Sequence, residues 1–255
     1  SESFRLNTRL RHAYGVVGRL LVGQTWTNSA DLSTVPGTID FAAGDALYGS
    51  RVAQVRWQDK LSEKWTYIVA LEDPVRGQVD NPFDLAGDTR PNWPKVVGAV
   101  RYQSPIGSSI KFALDTFPVS WKGPGDVPNE STAGYSFTVN SRVIVKNAAS
   151  PDAIVWGGGI GQGQGGQIVS LELANAGSGV VTPDGVQANP AYYAYLGYNH
   201  YWSKSLNSNF STAWTGIDLD DSQADDILQR AGSFHANLIW FPAKRVSTGI
   251  EYMWG

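Results

Sequence analysis

Apolar and polar residues alternate along most of this chain. In WTYIVALED, Trp65, Tyr67, Val69 and Leu71 make one face, with Thr66, Ala70 and Glu72 opposite. In VVGAVRY, Val96, Val100 and Tyr102 oppose Ala99 and Arg101; in SSIKFALD, Ile110, Phe112 and Leu114 oppose Lys111, Ala113 and Asp115. GYSFTVNSRVIVK sets Tyr135, Phe137, Val139, Val143 and Val145 against Ser136, Thr138, Asn140, Arg142 and Lys146. The same rhythm returns in SFHANLIWF and VSTGIEYMW near the end. At the start, SFRLNTRLRHAYG places Phe4, Leu6, Leu10 and Tyr14 on even positions and Arg5, Asn7, Arg9 and Arg11 on odd ones. Successive side chains of a strand point to opposite faces, so a period of two predicts strands with one apolar and one polar face. Twelve strands are predicted, near 3–14, 19–27, 51–58, 64–73, 95–103, 109–117, 134–146, 151–160, 191–202, 208–218, 231–241 and 245–254. QIVSLELA, residues 167–174, also alternates and is assigned to a long loop.

The connections sort into two sizes that alternate. Short turns are predicted at YGVVG, QDKLSEK, QSPIGSS, NAASPD, SKSLNS and FPAKR, and long loops at 28–50, 74–94, 118–133, 161–190 and 219–230. Short turns on one rim and long loops on the other, joined by strands long enough for a tilted crossing, describe an all-β transmembrane antiparallel barrel. Aromatic residues near strand ends, among them Tyr14, Trp26, Trp57, Trp65, Tyr102, Trp202, Trp240 and Trp254, fit the two interfacial belts of such a barrel. The competing architecture is a soluble β-sandwich, whose strands also bury one face but whose connections need not alternate in length.

Composition narrows the chemistry. Across 255 residues, 17% are charged and 42% hydrophobic, and no shift marks a second domain, so residues 1–255 read as one barrel domain. The absence of cysteine excludes disulfides, thiol catalysis and cysteine-ligated zinc. A net charge of −3 gives no case for nucleic acid. No apolar run approaches the roughly 20 residues of a spanning helix. SESF does not begin a signal peptide, so a mature chain or a piece of a longer one is expected.

RLRHAYG followed by LLVGQTWTN and then ADLSTVPGTIDF resembles the DcaP-like family of trimeric outer-membrane porins, as do GGGIGQG, YLGYNHYWS and GIEYMWG in the same order. The stretch from GQTW to DF is the most specific part. The resemblance implies a sixteen-stranded barrel, a homotrimer, and small negatively charged solutes including dicarboxylic acids. It also implies that the loop after the fifth strand folds inward to narrow the pore. On that frame, 28–50 is the constriction loop, and the chain is expected to lack three strands upstream and one downstream.

If the apolar face is outward, parity sends Arg5, Arg9, Arg11, Arg56, Arg101, Lys111, Arg142 and Lys146 into the lumen, against the fewer acids Glu72, Asp115 and Glu251. Such a wall concentrates anions. For each cation the competing role is a wall salt bridge. Asp31 and Asp40, in the presumed constriction loop, either oppose the basic wall or bond their own backbone in turns and caps, and the second role is preferred. Arg51 has the parity opposite to Arg56 and would need a bulge to face the pore mouth.

His235 and Glu251 are expected opposite each other across the FPAKR hairpin, paired as numbers summing near 486. They are read as a wall hydrogen bond and not as catalysis, because neighbouring Ser233 and Ser247 lie outside any GxSxG motif. His12 has outward parity, His200 lies among tyrosines, and neither shows metal-ligand spacing. GGGIGQGQGG contains GxGxxG (Gly161, Gly163, Gly166) but lacks a strand–turn–helix setting, and is read as a rim loop. The expected function is a diffusion porin in the outer membrane of a Gram-negative bacterium. It would pass small anionic solutes, contact outer-membrane lipid and lipopolysaccharide, and need no enzyme chemistry, cofactor, metal or nucleic acid. The alternatives are a surface-binding or adhesion barrel acting through its long loops, an outer-membrane enzyme, and the soluble sandwich.

Overall fold

The computed structural model describes residues 10–74, 79–125, 129–147 and 150–255. Twelve strands pair in chain order as one antiparallel meander. They are β1 (Ala13–Val17), β2 (Leu20–Trp26), β3 (Arg51–Lys60), β4 (Trp65–Glu72), β5 (Lys95–Gln103) and β6 (Ser109–Lys122). The remainder are β7 (Asn129–Asn147), β8 (Ser150–Gln162), β9 (Pro190–Ser203), β10 (Leu206–Ile217), β11 (Arg230–Ala243) and β12 (Val246–Trp254). Each predicted strand has a counterpart among the described residues, although residues 3–9 of the first lie outside them and β1 runs through Val17 of YGVVG, the stretch predicted as a turn. Among the described residues β1 and β12 are the two ends of the path.

Burial along these strands is inverted relative to a soluble protein. The outward side chains Val69, Leu114, Leu196 and Trp214 are 50–59% exposed, whereas the inward Glu72, Lys95, Asp115 and Thr138 are at most 2% exposed. A sheet that shows its large apolar side chains and hides its charged ones is built for lipid outside and a polar interior. The outer face carries aromatics at both ends. Near the short turns, Trp57 donates to the Tyr67 hydroxyl at 3.3 Å, and the Trp65 and Tyr102 rings lie 5.2 Å apart. On β9, outward Tyr192 and Trp202 bracket the apolar stretch ten residues apart. At about 3.3 Å per residue and a tilt near 40°, that spans ~25 Å, the height of a barrel's lipid-facing band.

The short rim is made of tight turns, and the long rim is folded. β6 and β7 run past the predicted loop 118–133 and stay paired from Pro118↔Ala133 to Lys122↔Asn129. The extension persists because Phe117, Val119 and Trp121 pack with Val79 and Val181 from other loops. A hairpin, Gly179–Thr182 with Gly185–Ala188, pairs in turn with Val79–Asp80. QIVSLELA is not extended: Gly165–Gln167 is a 3-10 turn and Val169–Leu173 a short helix. Ile168 and Leu171, three apart, share one cluster with Tyr48, Tyr193 and Tyr195. The glycine run is likewise mostly strand and not rim. A Cβ on Gly157 or Gly159 would lie 2.4–2.5 Å from the Tyr195 or Tyr193 ring system, so glycine there makes room for two inward tyrosines.

Candidate pore lining and inner segment

Residues 27–50, between β2 and β3, lie across the polar face of the sheet. The segment begins at β4, where Thr27 Oγ1 and the Asn28 backbone N–H donate to the Glu72 carboxylate at 2.6 and 2.7 Å. Ser29 Oγ then donates to Asp115 on β6, and Lys111 donates to the Ala30 carbonyl at 2.7 Å. Asp31 caps the 3-10 turn Leu32–Thr34, and Thr34 bonds the Tyr195 hydroxyl on β9 at 3.0 Å. Asn237 on β11 donates to the Gly37 carbonyl at 2.8 Å, and the Ile39 N–H donates to Glu251 on β12 at 3.0 Å. The segment turns back through a coil in which Phe41, Ala43, Gly44 and Asp45 all have positive φ. Tyr48 then bonds Ser136 on β7 at 2.8 Å. A single strap touched by side chains from β4 to β12 requires the sheet to curl around it. From above, the 165–173 turn and helix clamp the returning limb through Gly49 N–H to Gln167 O at 2.6 Å and Val169 N–H to Leu47 O at 3.0 Å.

The wall cations divide into paired and unpaired groups. Arg101 meets Asp31 at 2.8 Å and also donates to Ser33 at 3.1 Å. Asp31 therefore does both things its sequence context offered, since its other oxygen accepts from Ser33 N–H at 3.0 Å. Burial pushes the Asp31 carboxyl up, but the Ser33 hydroxyl and the charges of Arg101 and Lys111 outweigh it and hold the group below its ordinary 3.8. Lys95, which parity reasoning passed over because it sits one residue before the apolar run, forms a fully buried pair with Asp115 at 2.8 Å and also donates to Gln167 at 2.7 Å. Arg56 donates to Asn28 Oδ1 at 3.1 Å. Arg142 lies on the same inner face, in register with Ser109. Among the described residues, Arg56, Lys111 and Arg142 have no carboxylate within ion-pair distance.

The acids of the strap gather at the opposite side, near β11 and β12. Asp40 Oδ1 accepts from the Ala42 N–H at 2.9 Å, the turn role expected of it. Asp45 lies close by; burial and then the neighbouring Asp40 charge raise its carboxyl, with His235 opposing.

Arg5 and Arg9 lie outside the described residues. Several other expectations are corrected. Arg11 is exposed and precedes β1. In β1, Tyr14 pairs with Gly23, which pairs with Gln54, which pairs with buried Glu72. Even positions of β1 therefore share the polar inner face, and the odd parity of Arg11 belongs to the outer one. AYGVV carries apolar residues on both faces, so hydrophobicity alone could not orient it. His12, expected outward, bonds inner-face Thr25 at 3.1 Å. Arg51 sits over the Trp26 ring at 4.1 Å in an unbroken register, with no bulge turning it to a pore mouth. In the last hairpin, His235 pairs with Met253 and Asn237 with Glu251, two residues from the expected register. The turn is the two-residue Lys244–Arg245, with Arg245 at φ 67°, so β11 continues through Ala243. His235 Nδ1 consequently approaches Glu251 diagonally, at 3.5 Å. Ser233 donates to the Gly44 carbonyl at 2.5 Å, so its hydroxyl fastens the strap.

A curled antiparallel meander with an apolar outer face, aromatic belts, alternating short and long connections and a polar interior defines a transmembrane β-barrel. No family model matches the sequence, and no curated protein matches it either. The crystal structure of the outer membrane channel DcaP of Acinetobacter baumannii matches with a TM-score of 0.77 at 18% identity, over 96% of this chain and 67% of that one. At that identity the likeness shows the fold.

Proposed function

We propose that the protein is a diffusion porin of the Gram-negative outer membrane, a homotrimer that passes small, preferentially anionic solutes such as dicarboxylates. The observation that carries this reading is the separation of charge across the interior. Arg56, Lys111 and Arg142, without ion-pair partners among the described residues, lie on β3, β6 and β7 and outnumber the one unpaired carboxylate on that side, Glu72 of β4. Asp40, Asp45 and Glu251 lie at the far end of the strap, near β11 and β12. The strap narrows the passage, and a solute crossing it meets a transverse field that orients its carboxylates toward the basic side. The guanidinium groups of Arg56 and Arg142 offer carboxylate oxygens paired donors, while Lys111, buried and held by the Ala30 carbonyl, adds its charge from behind the strap. The structural likeness to an outer membrane channel supports the porin role, and the basic wall supports the anion preference. The apolar belts support residence in a lipid bilayer, where the outer face also meets lipopolysaccharide.

Reversal potentials in planar bilayers under a potassium chloride gradient test this. The full-length protein is expected to prefer chloride, and the pair Lys111→Gln with Arg142→Gln to shift the potential toward potassium. Unchanged selectivity in the double variant would sink the role of these residues. A complete lack of conductance would favour a surface-binding barrel acting through its folded long loops.

A further inference from the structure

At the tip of the strap, one carboxylate oxygen of Asp40, one of Glu251 and a ring nitrogen of His235 all lie within 4.8 Å of one another. The three residues come from three elements: the strap, β12 and β11. His235 is 2% exposed, and among the described residues neither of its ring nitrogens has a hydrogen-bond partner. Buried polar groups are nearly always satisfied, so an imidazole bare on both sides among the described residues is one with nitrogens available to a ligand.

The neighbouring groups are positioned as if for a shared ligand. His235 Nδ1 stands 3.5 Å from Glu251 Oε1, beyond the usual range of an N–H···O bond. Two ligands on one tetrahedral zinc, each at about 2.0–2.1 Å, stand about 3.4 Å apart, which is that spacing. Glu251 Oε2 is occupied by the Ile39 N–H at 3.0 Å and by Asn237 Nδ2 at 2.8 Å, which leaves Oε1 toward the histidine. Asp40 Oδ1 is held by the Ala42 N–H at 2.9 Å, which leaves its second oxygen available.

We propose that Asp40, His235 and Glu251 bind a divalent transition-metal ion of the zinc type, which fastens the tip of the strap to the last two strands. One nitrogen and two carboxylate oxygens suit zinc, whereas calcium and magnesium take oxygen ligands alone. Two carboxylates balance the ion's charge, and a fourth position stays open to water. The site does not depend on the solute the channel passes.

The test is equilibrium dialysis of the full-length protein in detergent, stripped with chelator and titrated with zinc chloride, with metal content read directly. One zinc per chain is expected. Outer-shell substitutions already cost 10–100-fold in affinity, so loss of a ligand in His235→Ala or Asp40→Asn is expected to cost roughly tenfold or more. Asp221→Asn, in another loop, is expected to leave binding unchanged. Asp40 is exposed, so its variant retains the fold even if the buried histidine does not tolerate replacement. Absence of saturable binding would overturn the proposal, as would zinc that still binds with unchanged affinity in Asp40→Asn.

Discussion

Lys95 Nζ lies 2.8 Å from Asp115 Oδ2 on the neighbouring strand, and neither side chain is more than 2% exposed. Asp115 also accepts from Ser136 at 2.6 Å and from Ser29 of the strap. The pair therefore joins the barrel wall to the segment that crosses it. Removing one member strands the other charge in a buried site, which typically costs about 3–5 kcal/mol, whereas replacing both with apolar groups of similar volume is often neutral. Asp115→Asn is expected to lower unfolding free energy in lipid vesicles by that amount. The double change Lys95→Met with Asp115→Leu is expected to recover much of the loss. Equal losses in the single and double variants would mean that the cost lies in the detached strap and not in the uncompensated lysine.

The Asp31–Arg101 contact gives a pH dependence of definite sign. The native Asp31 carboxyl is held below 3.8, so its contribution is fully present above that value and is lost as pH falls through the lower native one. The contribution of this contact to single-channel conductance is expected to stay level between pH 7 and pH 5, and to be lost in acid below 3.8 as the strap loosens. Asp31→Asn is expected to show the loosened conductance already at neutral pH. A conductance step near pH 6 would point to a histidine instead.

The outward face carries its own test. Leu196 lies midway between the β9 aromatics and is 50% exposed. In a lipid-facing position near the bilayer centre, arginine costs about 2–4 kcal/mol. Leu196→Arg is expected to lower folding free energy into vesicles by that much. A neutral outcome would mean that this face meets water.

Gly49 has φ +79°, and a Cβ there would lie 2.3 Å from Thr27 Cγ2. Its N–H also holds the helix-bearing loop at Gln167. Gly49→Ala is expected to cost about 1–3 kcal/mol, and to speed amide exchange around residues 45–50 and 165–170 more than elsewhere. Uniform exchange would show that the two loops are not coupled at this point.

The strands were legible because lipid imposes the same demand on each of them, an apolar outer face, and period two records it directly. The sequence misled where that demand was absent or doubled. AYGVV is apolar on both faces, so its orientation came only from pairing. In QIVSLELA, Val169, Leu171 and Leu173 read as a strand alternation while Ile168 and Leu171 share a helical spacing of three, and the packing of that second pair against Tyr48 and Tyr193 decided for the helix. The last hairpin was misregistered by two residues because its turn falls at Lys244–Arg245, with Arg245 left-handed, and the register shifts between Trp240 and Ala243, neither of which the residue identities announce. The site was half visible. Parity placed Arg101, Lys111 and Asp115 on one wall, but which cation met which carboxylate depended on how the strap lay between strands far apart in the chain.

The strap is tied at Glu72, Asp115, Tyr195, Asn237, Glu251 and Ser136, so no long stretch of it hangs free. An untethered loop in a lumen moves on nanosecond to microsecond timescales and would make the opening fluctuate. In the proposed channel such a strap holds the orifice to one shape, so its current is expected to be quiet. Solutes would then be sorted by a sharp threshold in width, as a sieve sorts them, and a molecule slightly too large would gain nothing by waiting.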